Sequence, residues 1–429
     1  MKLYTAGLVL TQDAGRAYAP GAVLVDDGKI IWVGAEADFP LASYPPDLQI
    51  ESLGDATIMP GLIDAHVHLG FDGGPKPVER MMAEDDVRQV ALMLQSARQL
   101  LSVGVTTARD LGSRDYLGPA VRDIIHAGTA RGPRILTAAS PITVTGGHCW
   151  FMGGEADSVS EVRTMVRRHH KFGADLIKVM STGGFMTAGS APWYAQFEQD
   201  QLTAIVSEAR RVGKRVAAHA HGIEGIERAV AAGVTTIEHC SFVHADGSRY
   251  VDPELADRIA ASQSYVSPTI NYRMPQIVEL TQGRFQPALA ELYRRGCKII
   301  ASTDCGIDNT PHHGFPGALA AMVSLGLPAQ AVLDAATSVS ATALGISDVT
   351  GRLAVGLDAD LIAVGGDPRS DISVISDLRL VVSRGEAFTP DPLPPLEPLD
   401  PATLSPFLRA AAESDPGIVH DPQPAGAVT

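Results

Sequence analysis

The stretch Met59-Pro60-Gly61-Leu62-Ile63-Asp64-Ala65-His66-Val67-His68 decides how this chain is read. Ile58 to Asp64 reads as a buried strand, and two histidines follow at its end, two residues apart. Side chains alternate faces along a strand, so His66 and His68 point the same way, about 6–7 Å apart. Paired imidazoles at the mouth of a buried strand suit a transition metal. An isolated H-x-H also arises by chance at a surface, so the weight rests on what surrounds it.

Upstream, residues 1–57 read as short strands joined by turns: Leu3 to Leu10, Ala22 to Val25, a hairpin turn at Asp27-Gly28, and Lys29 to Val33. From 58 to 345 the texture changes to apolar strand-like runs alternating with longer helical patterns. Roughly eight such units follow one another, which predicts an α/β fold built on a parallel (β/α)8 barrel of the TIM type. Residues 346–390 return to strand-rich text, as in Leu361 to Val364 and Leu378 to Ser383. The two chain ends are therefore expected to form one small β-sandwich domain with the barrel inserted between them. Residues 391–429, rich in Pro, Ala, Asp and Glu, read as an extended tail, with one short helix near Pro401 to Glu413. Disorder or wrapping of a neighbouring subunit are its two expected fates.

Composition narrows the partners. The 429 residues carry a formal net charge of −15 and no basic run, which disfavours nucleic acid and anionic membranes. The 45% hydrophobic and 19% charged content is that of an enzyme with a sizeable core. Four widely spaced cysteines without a C-x-x-C pair argue against a disulfide framework, and no apolar leader precedes the first strand. A cytoplasmic location is expected, and no stretch of about 18 apolar residues predicts a membrane span.

In such a barrel functional side chains gather at the C-terminal ends of the strands. Read in order, those ends offer His66 and His68 after the first strand, Lys178 on the fourth, His219 after the fifth, His239 after the sixth and Asp304 after the eighth. Lys178 lies within the apolar run Ala174-Asp175-Leu176-Ile177-Lys178-Val179-Met180, where an unpaired ammonium is costly. Burial favours the neutral amine, which can add carbon dioxide to give a carbamate, an anionic ligand able to bridge two metals. The competing reading is a lysine with a buried stem and a head at the rim. His219 and His221 form a second H-x-H whose period cannot say which is the ligand. A carboxylate buried at Asp304 needs a metal or a donor. Arg109-Asp110 reads as a structural pair.

These segments resemble the amidohydrolase superfamily over nearly everything from Leu3 to about Pro368. The resemblance is carried by the opening motif, Thr106-Thr107-Ala108-Arg109-Asp110, Ile177-Lys178, Ile237-Glu238-His239, Ser302-Thr303-Asp304, and Gly351 to Leu361. Thr145-Gly146-Gly147-His148 and Ala218 to Gly222 are similar to the Xaa-Pro dipeptidase-like and ochratoxin-hydrolysing branch. The resemblance implies two divalent metals, zinc first among them, bridged by carboxylated Lys178. His66, His68 and Asp304 would hold one metal and His219 and His239 the other. The implied chemistry is amide hydrolysis of N-acyl amino acids or dipeptides by a metal-bridging hydroxide. Ochratoxin A cleaved to ochratoxin alpha and phenylalanine is one special case. Asp304 would shuttle the proton and His148 would polarise the carbonyl, while His221, Tyr272 and Arg273 are candidate substrate contacts. A cyclic amidase of the imidazolonepropionase or hydantoinase kind is the alternative. A homo-oligomer is expected by the same resemblance.

Overall fold

The structure, a computed structural model, describes residues 1–401 together with Leu404, Leu408, Arg409 and Ala412. Both chain ends contribute to two sheets. One orders Lys29–Ala35, Gly21–Asp26, Lys2–Ala6 and Gln49–Ser52. The other orders Glu386–Phe388, Leu378–Ser383, Leu361–Val364, Thr57–Pro60, Leu8–Leu10 and Ala17–Tyr18. Asp26 pairs with Lys29 across the hairpin, and Asp27 and Gly28 both take the positive φ that a two-residue turn requires. Tyr4, Val23 and Ile30 of the first sheet pack against Val9, Ile58, Leu361 and Val382 of the second in one apolar cluster. The single strand expected from Leu3 to Leu10 is two strands, one in each sheet, interrupted at Gly7.

Between these ends lie eight parallel strands: β1 (Leu62–Val67), β2 (Val105–Asp110), β3 (Arg134–Thr137), β4 (Ile177–Met180), β5 (Val216–Gly222), β6 (Thr236–Val243), β7 (Tyr265–Ser267) and β8 (Lys298–Ile299). β2 joins β1 to β3, and β4 to β8 pair in chain order. Two irregular seams close the ring. After β3, Ile142 donates to Lys178 O (2.8 Å) and accepts from Met180 N (2.9 Å). After β8, Asp304 N donates to His66 O (2.9 Å) and His68 N to Cys305 O (2.9 Å). The architecture is α/β of the TIM-barrel type, with helices such as Asp86–Ser102, Val159–Lys171 and Gln199–Arg211 between strands. Local sequence starts them: Asp85 caps the first through Arg88 N, and Ser158 with Glu161 forms a capping box on the second.

The strand expected from Thr57 to Asp64 is also divided. Thr57–Pro60 pairs with Leu361–Val364, whereas β1 enters the barrel, and the chain changes sheets at Gly61. A Cβ at Gly61 would lie 2.1 Å from Thr106 Oγ1, so only glycine allows this close crossing. The strand expected from Ile299 to Thr303 keeps regular pairing only at Lys298–Ile299, because the segment beyond bonds to the irregular end of β1. His66, His219 and His239 lie within β1, β5 and β6 rather than after them. Register shifts between Asp64 and Val67 and between Ala220 and Gly222 bend those strand ends, as bulges do.

The tail runs back over its own barrel. Arg98 pairs with Asp391, Tyr272 Oη donates to Glu397 O (2.9 Å), and Leu399 N donates to Gln276 Oε1 (3.2 Å). The helix expected near Pro401 to Glu413 falls mostly outside the described residues. Among the described residues no helix is long and apolar enough to cross a membrane.

Gly61→Ala is expected to overpack the crossing and lower the thermal midpoint by roughly 1–4 °C. An unchanged midpoint in differential scanning would show that the contact with Thr106 relaxes at no cost.

Candidate metal centre

The barrel's C-terminal mouth gathers two groups of potential ligands. His66, His68 and Asp304 form one and His219, His221 and His239 the other, with ligand atoms in each within 4.8 Å of one another. In the first, His66 Nε2 and His68 Nε2 lie 3.3 Å apart, each 3.2 Å from Asp304 Oδ1. In the second, His239 Nε2 faces His219 Nδ1 at 2.8 Å, and the His221 ring stacks on His239 with centroids 4.3 Å apart.

The surroundings orient these rings. A carboxylate or carbonyl oxygen can only accept, so a ring nitrogen that bonds to one does so through its proton. His66 Nδ1 donates to Glu238 Oε2 (2.9 Å), His68 Nδ1 to Gly112 O (3.1 Å) and His219 Nε2 to Gly183 O (3.0 Å). His66 Nε2, His68 Nε2 and His219 Nδ1 are thereby the ring nitrogens turned toward the centre. Burial pushes His219, His221 and His239 well below the usual imidazole range, and neighbouring rings add to it. Burial alone would raise the Asp304 carboxyl, but His66, His68 and His239 outweigh it and hold the group low.

Lys178 on β4 is buried, and its Nζ has no hydrogen-bond partner among the described residues. Burial brings its pKa down to about 8, which makes the neutral amine accessible near neutral pH. Asp304 Oδ1 is another buried atom without a hydrogen bond in that set. Inward-facing imidazole nitrogens, a carboxylate and an orphaned amine are a donor set that fits divalent cations.

Glu238 is the functional residue that sequence reasoning missed. It precedes His239, and its two oxygens divide between His66 and Arg109 Nη2 (2.9 Å), with the Thr236 hydroxyl also donating. Burial would raise its carboxyl, but Arg109 and His66 reverse the shift and keep it ionised. An acid beside Ile237 in a strand-like run was the available signal, since a carboxylate buried there needs a partner. The expected Arg109-Asp110 pair does not form, because successive strand residues face opposite sides. Asp110 instead accepts from Leu69 N and Thr137 Oγ1.

A cavity of about 260 Å³ opens over the centre. His148 lines it, its ring 4.6 Å from His219 and packed on the backbone of Gly184, where a Cβ would come within 2.5 Å. Burial lowers its pKa to about 3, with Lys178 contributing, so the ring is neutral. His221 also lines the cavity, with Nδ1 3.0 Å from Ser241 Oγ. Tyr272 is not part of the wall; Arg273 is, and it also donates to Tyr272 Oη (2.8 Å) and Glu397 O (3.1 Å). Both therefore hold the tail.

A profile of the amidohydrolase family matches residues 57–387. The ochratoxinase of Aspergillus niger is 29% identical over 410 residues, covering 88% of this chain and 83% of that one. Its crystal structure superposes with a TM-score of 0.77 at 27% identity, covering 92% and 97%. A Xaa-Pro dipeptidase with methionine bound in its active site gives a TM-score of 0.80 at 29% identity, covering 90% and 99%. A prolidase complexed with N-methylphosphonate-L-proline gives 0.78 at 26%, covering 91% and 100%.

Glu238→Gln is expected to weaken metal retention about 10- to 100-fold, read by chelator competition. Retention equal to the wild type would show that His66 does not depend on this carboxylate.

Proposed function

The chain belongs to the amidohydrolase family and hydrolyses amide bonds, and from that premise we propose that it cleaves N-acyl amino acids or dipeptides at a binuclear centre. The observation that carries this reading is that two ligand groups and the buried, orphaned amine of Lys178 line one cavity. His66, His68 and Asp304 would hold one divalent ion and His219 and His239 the other. Lys178 would bridge them as a carbamate: the neutral amine forms a C–N bond to carbon dioxide, and the nitrogen's proton leaves. When bound, two divalent ions, zinc for this nitrogen-rich set, supply Lewis acidity and acidify nearby water.

The chain's own residues do the rest. His148 presents a neutral ring to the carbonyl oxygen of the scissile amide as charge develops there. Asp304, ionised at rest, accepts a proton from the attacking water at its carboxylate and delivers it to the leaving nitrogen. His221 contacts the substrate within the same cavity. The apolar lining from Met180, Phe185 and Phe285 suits a bulky aromatic acyl group or amino acid, of which ochratoxin A is one example. Residues 1–57 and 346–390 are read as a small β-sandwich that carries the barrel of 58–345, with 391–429 as its tail. We also read the enzyme as a homo-oligomer, and its four free, buried cysteines fit the cytoplasm.

On zinc-loaded enzyme, N-acyl amino acids and dipeptides with a free carboxylate should be cleaved, and a hydantoin-type ring should be turned over far more slowly. Faster ring opening would replace this reading with a cyclic amidase.

Lys178→Ala should leave less than one metal per chain and lower kcat roughly 100-fold or more, with partial rescue by short carboxylates. Full activity in that variant would refute the carbamate bridge.

A further inference from the structure

We propose that a second cavity, at the end of the barrel away from the metal centre, binds a phosphate group through Arg384 and Arg134. This cavity measures about 360 Å³. It lies between β3, the helix Leu117–His126 and the turn Arg384-Gly385, which joins Leu378–Ser383 to Glu386–Phe388. Arg134 opens β3, whereas the metal ligands gather at the C-terminal mouth of the same parallel strands, so the two cavities sit at opposite ends.

Arg384 is the cation that these surroundings leave over. Its Nη2 reaches Gly132 O at 3.5 Å, the long limit of a hydrogen bond, and among the described residues no carboxylate pairs with its guanidinium. The carboxylates around the cavity already have cations. Asp358 takes Lys29 (2.6 Å) and Arg134 (2.5 Å), and Asp360 takes Arg134 (3.3 Å). Asp175 and Asp123 each take Arg122 (2.8 Å), and Glu386 takes Arg131. Burial lowers the pKa of Arg384 and Arg134 lowers it further, while Asp360 and Asp358 pull the other way. Arg134 spends Nη2 on Asp358 and Asp360, and its buried Nε has no partner among the described residues. The wall is thus rich in donors and short of acceptors.

A phosphate group answers that imbalance. It carries roughly two negative charges near neutral pH, and its oxygens suit the planar fork of a guanidinium. Asp360 holds both arginines in place, since Oδ1 accepts from Arg384 N (2.7 Å) and Oδ2 from Arg134. The rest of the wall includes Ile125, Ile135, Ile346 and Val349, an apolar surface against which the substituent of a phosphate ester can lie. A bound phosphate would link the first residue of a barrel strand to a turn of the outer sheet.

Titration calorimetry of the zinc-loaded enzyme with inorganic phosphate and with phenyl phosphate tests the site. Wild type should bind at least one of them with a Kd of about 1 mM or tighter, and the tighter of the two shows whether the free ion or an ester is the occupant. Arg384→Met should weaken that binding about 10- to 100-fold with kcat/KM unchanged, and Arg384→Lys should recover part of it. Should Arg384→Met fail to fold, Arg384→Gln decides by the same comparison. Equal affinity in the variant, or no binding of either compound by wild type, overturns the assignment. A signal that survives in Arg384→Met and disappears in Lys178→Ala belongs to the metal centre and overturns it as well.

Discussion

Buried histidines packed face to face are the constraint on which this structure depends. His66, His68 and His219 each donate one ring N–H to an outward acceptor: a carboxylate, and the carbonyls of Gly112 and Gly183. Their other ring nitrogens point inward at separations of about a hydrogen bond, as at 2.8 Å between His219 Nδ1 and His239 Nε2. Such an array is unfavourable unless something positive shares the space. The barrel tolerates it because β1, β5 and β6 are anchored on both sides by neighbouring strands, so the rings cannot turn away. Structural cost and metal affinity are here the same quantity, which is how metal binding couples to folding.

Glu238 shows how that constraint is transmitted. Its carboxylate sits between Arg109 on β2 and His66 on β1, so a residue of β6 locks the two strands opposite it. Arg109 also donates to Ala65 O (2.5 Å) and Thr236 Oγ1 (3.0 Å), which ties the same strands through the backbone. The ion pair is fully buried, so it is not there for cheap stability. Its use is positional: it sets the tautomer of His66 and thereby the direction of a ligand lone pair.

Much of this was legible in the sequence, and what was not shares one physical cause. The H-x-H after a buried strand, the lysine in an apolar run and the strand-end His239 and Asp304 announce themselves by local pattern, and the structure brings them together. Alternation of strands and helices likewise announced an α/β fold. Pattern could not locate the change of sheet at Gly61, because it depends on Thr106 lying across the path. It also could not find Glu238, whose meaning comes from a partner far away in the chain, Arg109. Tyr272 and Arg273 follow a strand, which makes them candidate substrate contacts, and their bonds to the carbonyl of residue 397 add a tie to the tail that local pattern does not announce. Local sequence reports what a side chain can do, and distant sequence decides what is left for it to do.

The tail makes the same point about the cavity itself. Leu399, Leu404 and Leu408 contribute to its wall, and the segment carrying them is fixed by Tyr272, Arg273 and Gln276. The floor of the cavity is therefore made by barrel strands and is polar, while part of its apolar boundary is supplied by the last segment of the chain. These two parts answer to different physics. The floor must keep its geometry within tenths of an ångström to hold charge, whereas an apolar wall works by excluding water and tolerates changes of shape. A substrate's amide is thus positioned by the rigid part, and the bulk attached to it is accommodated by the part built from side chains on a strap.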